Sequence, residues 1–455
     1  MTESSARAIA AGLASALSSH GREELADAAF TLACGQGAFP ERGFVVARDG
    51  AEAGPMLAQA KTTRSLGARP HCALAFPGQG AQYVAMGRAL AGSEPVFREH
   101  LHACFAIVDG LRAGGESRDG VDLRLVLDPP QGQWSQAEQA LVQTSFTQPA
   151  IFAVEWALAQ LWLSLGLRPE ILIGHSVGEF TAACLAGVFT LPDALRLVSL
   201  RGRLMQSVAP GSMLSVRCRA EDIAADIRPP MGIAAINAPA LCVVAGPDEA
   251  IAQLAAELDK RGVASSKLKT SHAFHSPMMD EIIPAFHKVV AGIDLRPPRL
   301  PIVSTVTGDI LTGTQATDPA YWARHLRQTV LFSRALQRLW LELPDCIVIE
   351  AGPRSTLATL GRRIAVDAKR NVTVPSLDVG STLVPEHDPD EEAAFLRAVG
   401  RVWTHGALID WGRFYAGESR QRVVLPTHAF ESQDGASADA RGEEEERAAG
   451  GKEGR

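Results

Sequence analysis

Ile171-Leu172-Ile173-Gly174-His175-Ser176-Val177-Gly178-Glu179-Phe180 is the stretch that decides the fold. Its apolar opening reads as a short strand, Gly174 and Gly178 mark a sharp turn, and the apolar run Phe180 to Val188 has helical length. The G-x-S-x-G spacing places Ser176 on a strand-to-helix turn, where small neighbours allow close backbone approach. A serine hydroxyl is a poor nucleophile until a base takes its proton. A helix beginning at Val177 would aim its first N–H groups at a developing oxyanion. With 41 glycines in 455 residues, the pattern alone also fits a glycine-flanked helix cap. The strand before it and the apolar helix after it favour the nucleophile.

Two more apolar runs repeat the design. Ala73-Leu74-Ala75-Phe76 ends in Pro77-Gly78-Gln79-Gly80, and Cys346-Ile347-Val348-Ile349 ends in Glu350-Ala351-Gly352-Pro353. Helical patterns, such as Ile151 to Leu165 and Pro192 to Met205, lie between them. Continuous apolar strands alternating with helices predict a parallel α/β sheet covered on both faces. Sites in such sheets form outside the carboxyl ends of the strands, where all three turns lie. Residues 211–274 break the rhythm with strand, helix, strand, strand, helix, strand: Met213 to Val216, Ala220 to Ile227, Gly232 to Ile236, Leu241 to Val244, Asp248 to Lys260 and Ala264 to Leu268. This βαββαβ order predicts a ferredoxin-like subdomain inserted in the larger one.

The flanks read differently. Residues 1–70 predict a small α+β unit, with helices over Ala8 to Leu17 and Glu24 to Leu32 and a strand over Phe44 to Ala47. The main domain is expected over 71–366, followed by a looser linker over 367–431. In that linker, acidic Glu386 to Glu392 precedes a helix with Phe395, Leu396, Val399, Val402 and Trp403 on one face. Residues 432–455 have no bulky apolar side chain and read as a disordered tail.

Composition narrows the function. Apolar residues make up 46% and charged residues 21%, as in ordinary globular chains. A net charge of −7 supplies no basic excess for nucleic acid. Seven dispersed cysteines form no C-x-x-C pair, which argues for reduced thiols and against a zinc site. The first residues lack a signal-peptide pattern, and no apolar run approaches the roughly 20 residues that span a bilayer. The expected location is cytoplasmic.

A base for Ser176 is sought among twelve histidines. His272 and His275 stand out in Ser271-His272-Ala273-Phe274-His275-Ser276-Pro277, the turn that leaves the insert and re-enters the main domain. Either would face a nucleophile across a cleft. On the helix after the serine helix, Arg201 could hold a carboxylate with both guanidinium nitrogens, with Arg196 and Arg203 as competitors.

Several segments together, in order, resemble the malonyl-CoA:acyl carrier protein transacylase family, and more closely the acyltransferase domains of modular polyketide synthases. They are Phe76 to Gln82, Thr147-Gln148-Pro149-Ala150, Gly174 to Phe180, Arg201 to Met205, His272 to Ser276, Tyr321-Trp322 with His325 and Arg327, and Glu350 to Pro353. The likeness is strong over about 74–365. The flanks resemble the linkers around such domains, with Asp410-Trp411 and Leu425-Pro426-Thr427-His428-Ala429-Phe430 like the trailing one.

The resemblance implies an α/β-hydrolase-like subdomain carrying the ferredoxin-like one, and a role for each matched residue. Ser176 would be the acyl-carrying nucleophile and His275 its general base, oriented by a backbone carbonyl instead of an aspartate. The N–H groups of Gln79 and Val177 would form the oxyanion hole. Arg201 would pair with the carboxylate of the extender unit, with Gln148 and His175 lining the site. His272 and Phe274 fit malonyl over methylmalonyl, since a bulky Phe274 crowds a branch methyl. No bound cofactor is implied: the coenzyme A thioester is substrate, and phosphopantetheine belongs to the acyl carrier protein partner.

A ketosynthase and further domains normally flank such a domain. This chain reads as a freestanding enzyme or an excised piece of a synthase, with neighbouring synthase domains as further partners. Three readings compete: a methylmalonyl-specific acyltransferase, an α/β-hydrolase thioesterase, which shares the serine elbow but usually places an acid before a late histidine, and a catalytically inactive scaffold that docks carrier proteins.

Overall fold

The computed structural model describes residues 2–35, 37–67, 69–114, 121–380 and 390–426. Most of Glu386 to Glu392, the Thr427 to Phe430 end of the trailing motif and the tail 432–455 fall outside them. Contacts divide the chain into two units, Met1–Arg64 with Ser419–Arg455, and Ser65–Glu418.

In the first unit, Thr2 caps helix Glu3–Leu17 by accepting from the Ser5 N–H, and Asp49 caps helix Gly50–Ala58 by accepting from Glu52. Helix Arg22–Gly35 lies between them in sequence. Strands β1 (Glu41–Arg42) and β2 (Thr63–Arg64) pair antiparallel. Leu13, Leu17 and Ala28 form a small core with Leu25, Leu32 and Leu57 against it. The strand expected over Phe44 to Ala47 does not form. Those four side chains are all half-buried, without the in–out alternation of a ladder.

The second unit holds β3 (His71–Phe76), β4 (Ile171–Gly174), β5 (Ser212–Val216), β6 (Gly232–Ala238), β7 (Leu241–Gly246), β8 (Ser265–Lys267), β9 (Ile302–Val303), β10 (Cys346–Pro353) and β11 (Val372–Leu377). Five of them form a parallel sheet in the order β11-β10-β3-β4-β9. Every position of β4 and β10 is buried, which is why those segments read as unbroken apolar runs. The register pairs Phe76 with Gly174 and Ala75 with Glu350, so the three turns end side by side.

The insert forms an antiparallel sheet in the order β6-β7-β5-β8, with helix Asp248–Lys260 packed on it, the arrangement the ferredoxin-like order requires. Leu214, Val216, Ile223, Cys242, Val244, Ile251, Leu254 and Leu258 give it a core of its own. The helix expected over Ala220 to Ile227 is a 3₁₀ segment, Ala220–Asp226.

The main sheet continues beyond residue 366. Strand β11 pairs along β10, the Trp162 indole N–H donates to Ser376 Oγ at 2.8 Å, and helix Glu391–Thr404 packs on β11. Among the described residues no helix is long and apolar enough to cross a membrane.

Candidate active site

Ser176 stands two residues past the end of β4 and has φ 53°, a left-handed conformation for a residue with a Cβ. Helix Gly178–Leu185 starts two residues later. The flanking glycines are steric necessities. A Cβ on Gly174 would stand 2.2 Å from the Glu179 nitrogen, and one on Gly178 would stand 2.2 Å from the Phe76 carbonyl oxygen. Gly78 lets the neighbouring turn approach, since its Cβ would lie 2.7 Å from the His175 oxygen. That contact holds the Gln79 turn beside the serine. Among the described residues, the backbone N–H groups of Gln79 and Val177 donate to no protein acceptor.

Of the two candidate histidines, His275 reaches the serine: Ser176 Oγ lies 2.7 Å from His275 Nε2. His275 also has a positive φ, 56°. Its Nδ1 lies 2.9 Å from the carbonyl oxygen of Gln328, and a carbonyl can only accept. Nδ1 therefore carries the hydrogen, leaving the Nε2 lone pair for the serine proton. Burial pushes the imidazole well below its ordinary value, reinforced by the positive potential of Arg201, His325 and His175 and opposed by the Gln328 carbonyl. His275 is thus neutral and able to accept a proton.

His272 is buried elsewhere on the same turn, with Nδ1 2.8 Å from Ser271 Oγ and its ring stacked on Phe274 at 6.2 Å. His175 turns toward the insert, with Nε2 2.9 Å from Asn237 Oδ1 on β6.

Arg201 is 1% exposed and aims its guanidinium at the serine. Its Nη2 lies 3.1 Å from Ser176 Oγ, and its Nη1 donates to Gln148 Oε1 at 2.7 Å. Gln148 is oriented in turn by the Met205 sulfur, 3.2 Å from its Nε2. Arg201 Nε has no hydrogen-bond partner, and no acidic side chain among the described residues makes an ion pair with this cation. Burial lowers it to about 9. A buried cation of this kind lacks one partner, an anion. Arg196 and Arg203 line a separate cleft with Leu111, Ser199, Leu200 and Val289.

Sequence reasoning assigned no role to a polar cluster behind the dyad. Glu179, fully buried, accepts from the Thr305 N–H at 2.8 Å, the Thr305 hydroxyl at 2.6 Å and the Tyr321 hydroxyl. His325 Nε2 is 3.7 Å from Glu179 Oε2. Burial pushes Glu179 up, but His325, Thr305 and Tyr321 together hold it below the ordinary carboxylate value. The sequence signal was the placement of Glu179, Tyr321 and His325 in matched motifs.

A half-buried serine within hydrogen-bond reach of a buried neutral histidine is an arrangement that can carry acyl transfer. Comparison with known proteins agrees. The family model described as "Acyl transferase domain" matches residues 74–406, and one described as "CurL-like, PKS C-terminal" matches 1–57. The chain is 36% identical over 393 residues to the spectinabilin polyketide synthase system protein NorB of Streptomyces orinoci, covering 84% of this chain and 17% of that protein. It is 35% identical over 456 residues to mycoketide-CoA synthase of Mycobacterium tuberculosis, covering 97% of this chain and 10% of that protein. The chain therefore spans only a minor part of these relatives. Among solved structures, the acyl transferase domain of ZmaA superposes with TM-score 0.83 at 32% identity, covering 93% of this chain and 97% of that one. A malonyl-CoA:acyl carrier protein transacylase from Xanthomonas oryzae superposes with TM-score 0.59 at 31% identity, covering 68% and 95%.

Proposed function

The chain belongs to the acyl transferase domain family, and from that premise we propose that it moves a malonyl group from coenzyme A, through an ester on Ser176, to the phosphopantetheine thiol of an acyl carrier protein in polyketide synthesis. The observation that carries this reading is Arg201, a buried guanidinium without an acidic partner 3.1 Å from the serine oxygen. It supplies the counter-charge for an acyl group ending in a carboxylate.

The steps follow from the geometry. His275 Nε2 takes the Ser176 proton as Oγ attacks the thioester carbonyl. The oxyanion is received by the N–H groups of Gln79 and Val177. Collapse breaks the carbon–sulfur bond, and the departing thiolate takes the proton back from His275. The carrier thiol then reverses these steps on the Ser176 ester. Two half-reactions through one covalent intermediate imply ping-pong kinetics. Donor and product are both thioesters, so the exchange is close to thermoneutral and the site must exclude water. The burial of His275 and Arg201 supports that exclusion.

Phe274, 6% exposed one residue before the base, supports malonyl over methylmalonyl by crowding a branch methyl. One methyl is worth only about 1–3 kcal/mol of discrimination. The thioesterase reading is disfavoured because a carbonyl, not an acid, holds His275 Nδ1. The scaffold reading is disfavoured by the dyad distance of 2.7 Å.

The test is to supply malonyl-CoA with and without a phosphopantetheine-bearing carrier protein. Malonyl on the carrier supports the proposal. Free malonate formed at the same rate without carrier would replace it with the thioesterase.

A further inference from the structure

Gln328 supplies the carbonyl that holds His275 Nδ1, yet its own side chain is exposed. The direction of that carbonyl is therefore set by the backbone on either side of it. On the near side the chain leaves helix Pro319–Arg324, and the Gln328 N–H donates to the Arg324 carbonyl at 2.9 Å. On the far side it runs along β6, the edge strand of the insert. There the Val330 N–H donates to the Ala234 carbonyl and the Ile236 N–H donates to the Val330 carbonyl, both at 2.9 Å. These bonds make a parallel bridge between Ala235 and Val330 and cover that edge. Between the bridge and Gln328 stands Thr329, half-buried, whose hydroxyl donates to the Ile233 carbonyl at 2.6 Å. Among the described residues it is the one hydrogen bond made by a side chain of residues 328–331. The pairing of β6 with β7 shifts register between Ile233 and Ala235. Such a bulge interrupts the ladder and re-aims the groups it carries. Ile233 and Ala234, the residues whose carbonyls receive Thr329 and Val330, lie at that irregularity.

We propose that Thr329 is a positioning residue for the dyad: its hydroxyl, anchored on the bulge of β6, sets the direction of the Gln328 carbonyl, and that carbonyl keeps the hydrogen of His275 on Nδ1. The proposal rests on His275 being the general base and deepens that reading. The physical reason is the planarity of the peptide unit. The Gln328 carbonyl lies in the plane that joins the Cα atoms of residues 328 and 329. The bond to Arg324 fixes one end of that plane, and the Thr329 hydroxyl fixes the other. Without the hydroxyl, the nearest anchor on the far side is the Val330 bridge, one residue further on, and the plane can turn. A carbonyl turned away from Nδ1 no longer selects the tautomer. The Nε2–H form then offers the serine a donor in place of a lone pair.

The test compares wild type with Thr329→Val, which keeps the branched shape and removes the hydroxyl, and Thr329→Ser, which keeps the hydroxyl. Two readouts are taken: the tautomer of His275 from its ring nitrogens by NMR at neutral pH, and the single-turnover rate of Ser176 acylation by malonyl-CoA from intact mass. Wild type and Thr329→Ser should hold the Nδ1–H tautomer. Thr329→Val should show a mixture with the Nε2–H form and acylate about 5- to 10-fold more slowly, with half-saturation by malonyl-CoA unchanged. Rescue by serine separates positioning from a general loss of stability, which would leave the tautomer as it is. A pure Nδ1–H tautomer with the wild-type rate in Thr329→Val overturns the proposal, and so does a Thr329→Ser variant as slow as Thr329→Val. Should Thr329→Val fail to fold, Thr329→Ala takes its place with the same expectations. The tautomer readout needs no acyl transfer, so absence of a malonyl adduct on the wild type would fail the proposed function while the ring nitrogens still decide this inference.

Discussion

Ser176 and His275 both occupy the left-handed region of backbone space, at φ 53° and 56°, and meet there with Oγ and Nε2 2.7 Å apart. Such angles cost non-glycine residues on the order of 1–3 kcal/mol each. The surrounding turns hold both residues against that cost. Ser176→Gly should therefore be more stable than Ser176→Ala by about 1 kcal/mol in urea unfolding. Both should lose the acyl adduct, and equal stabilities would show that the elbow is unstrained.

Arg201 makes the second expectation. Arg201→Ala should lower kcat/KM for malonyl transfer on the order of 10²- to 10³-fold. Transfer of an uncharged acyl group such as acetyl should fall far less. Arg201→Lys should recover little, because one ammonium replaces a planar fork already committed to Gln148 and the serine. Parallel losses for both acyl groups would argue against carboxylate recognition.

The displaced His275 sets the pH dependence. Its imidazole is held well below 6.5 in the folded chain, so the acid limb of acylation should lie below the ordinary histidine range. The sign for stability follows by linkage. A histidine depressed by folding binds fewer protons in the native state than in the unfolded one, so its contribution is full above about 6.5 and is lost as pH falls toward the native value. His275→Gln should weaken the loss of stability below pH 6.5, as read from unfolding midpoints across pH.

Gly178 makes a steric expectation. Its Cβ would meet backbone, the Phe76 oxygen at 2.2 Å and the Pro77 oxygen at 2.7 Å, so no side-chain rotation relieves the clash. Gly178→Ala should destabilise by about 3 kcal/mol or more in urea unfolding. A shift below about 1 kcal/mol would mean the two turns can separate.

What was legible in the sequence was local. Strands β3, β4 and β10 are buried on both faces and so read as apolar runs, and the glycine spacing around Ser176 is a steric requirement of the elbow. Strand β11 escaped because Pro375 argues against a strand, yet an edge position tolerates it. Strand β9 is two residues long, too short for a periodic signal. Helix Gly50–Ala58 contains Gly54 and Pro55, both poor helix formers, and is stabilised by its Asp49 cap. At the site, Gln148 and Arg201 were visible as residue types. The Gln328 carbonyl was not, because any residue carries one. Asn237 and the Glu179–His325 pair depend on contacts between distant segments.

The most direct test of the account is an intact-mass measurement. Wild type and Ser176→Ala are incubated with equal malonyl-CoA and methylmalonyl-CoA and quenched in acid. The account expects a malonyl-sized adduct on the wild type and none on the variant. A methylmalonyl adduct would contradict the role given to Phe274, and a malonyl adduct that persists in Ser176→Ala would contradict the nucleophile itself.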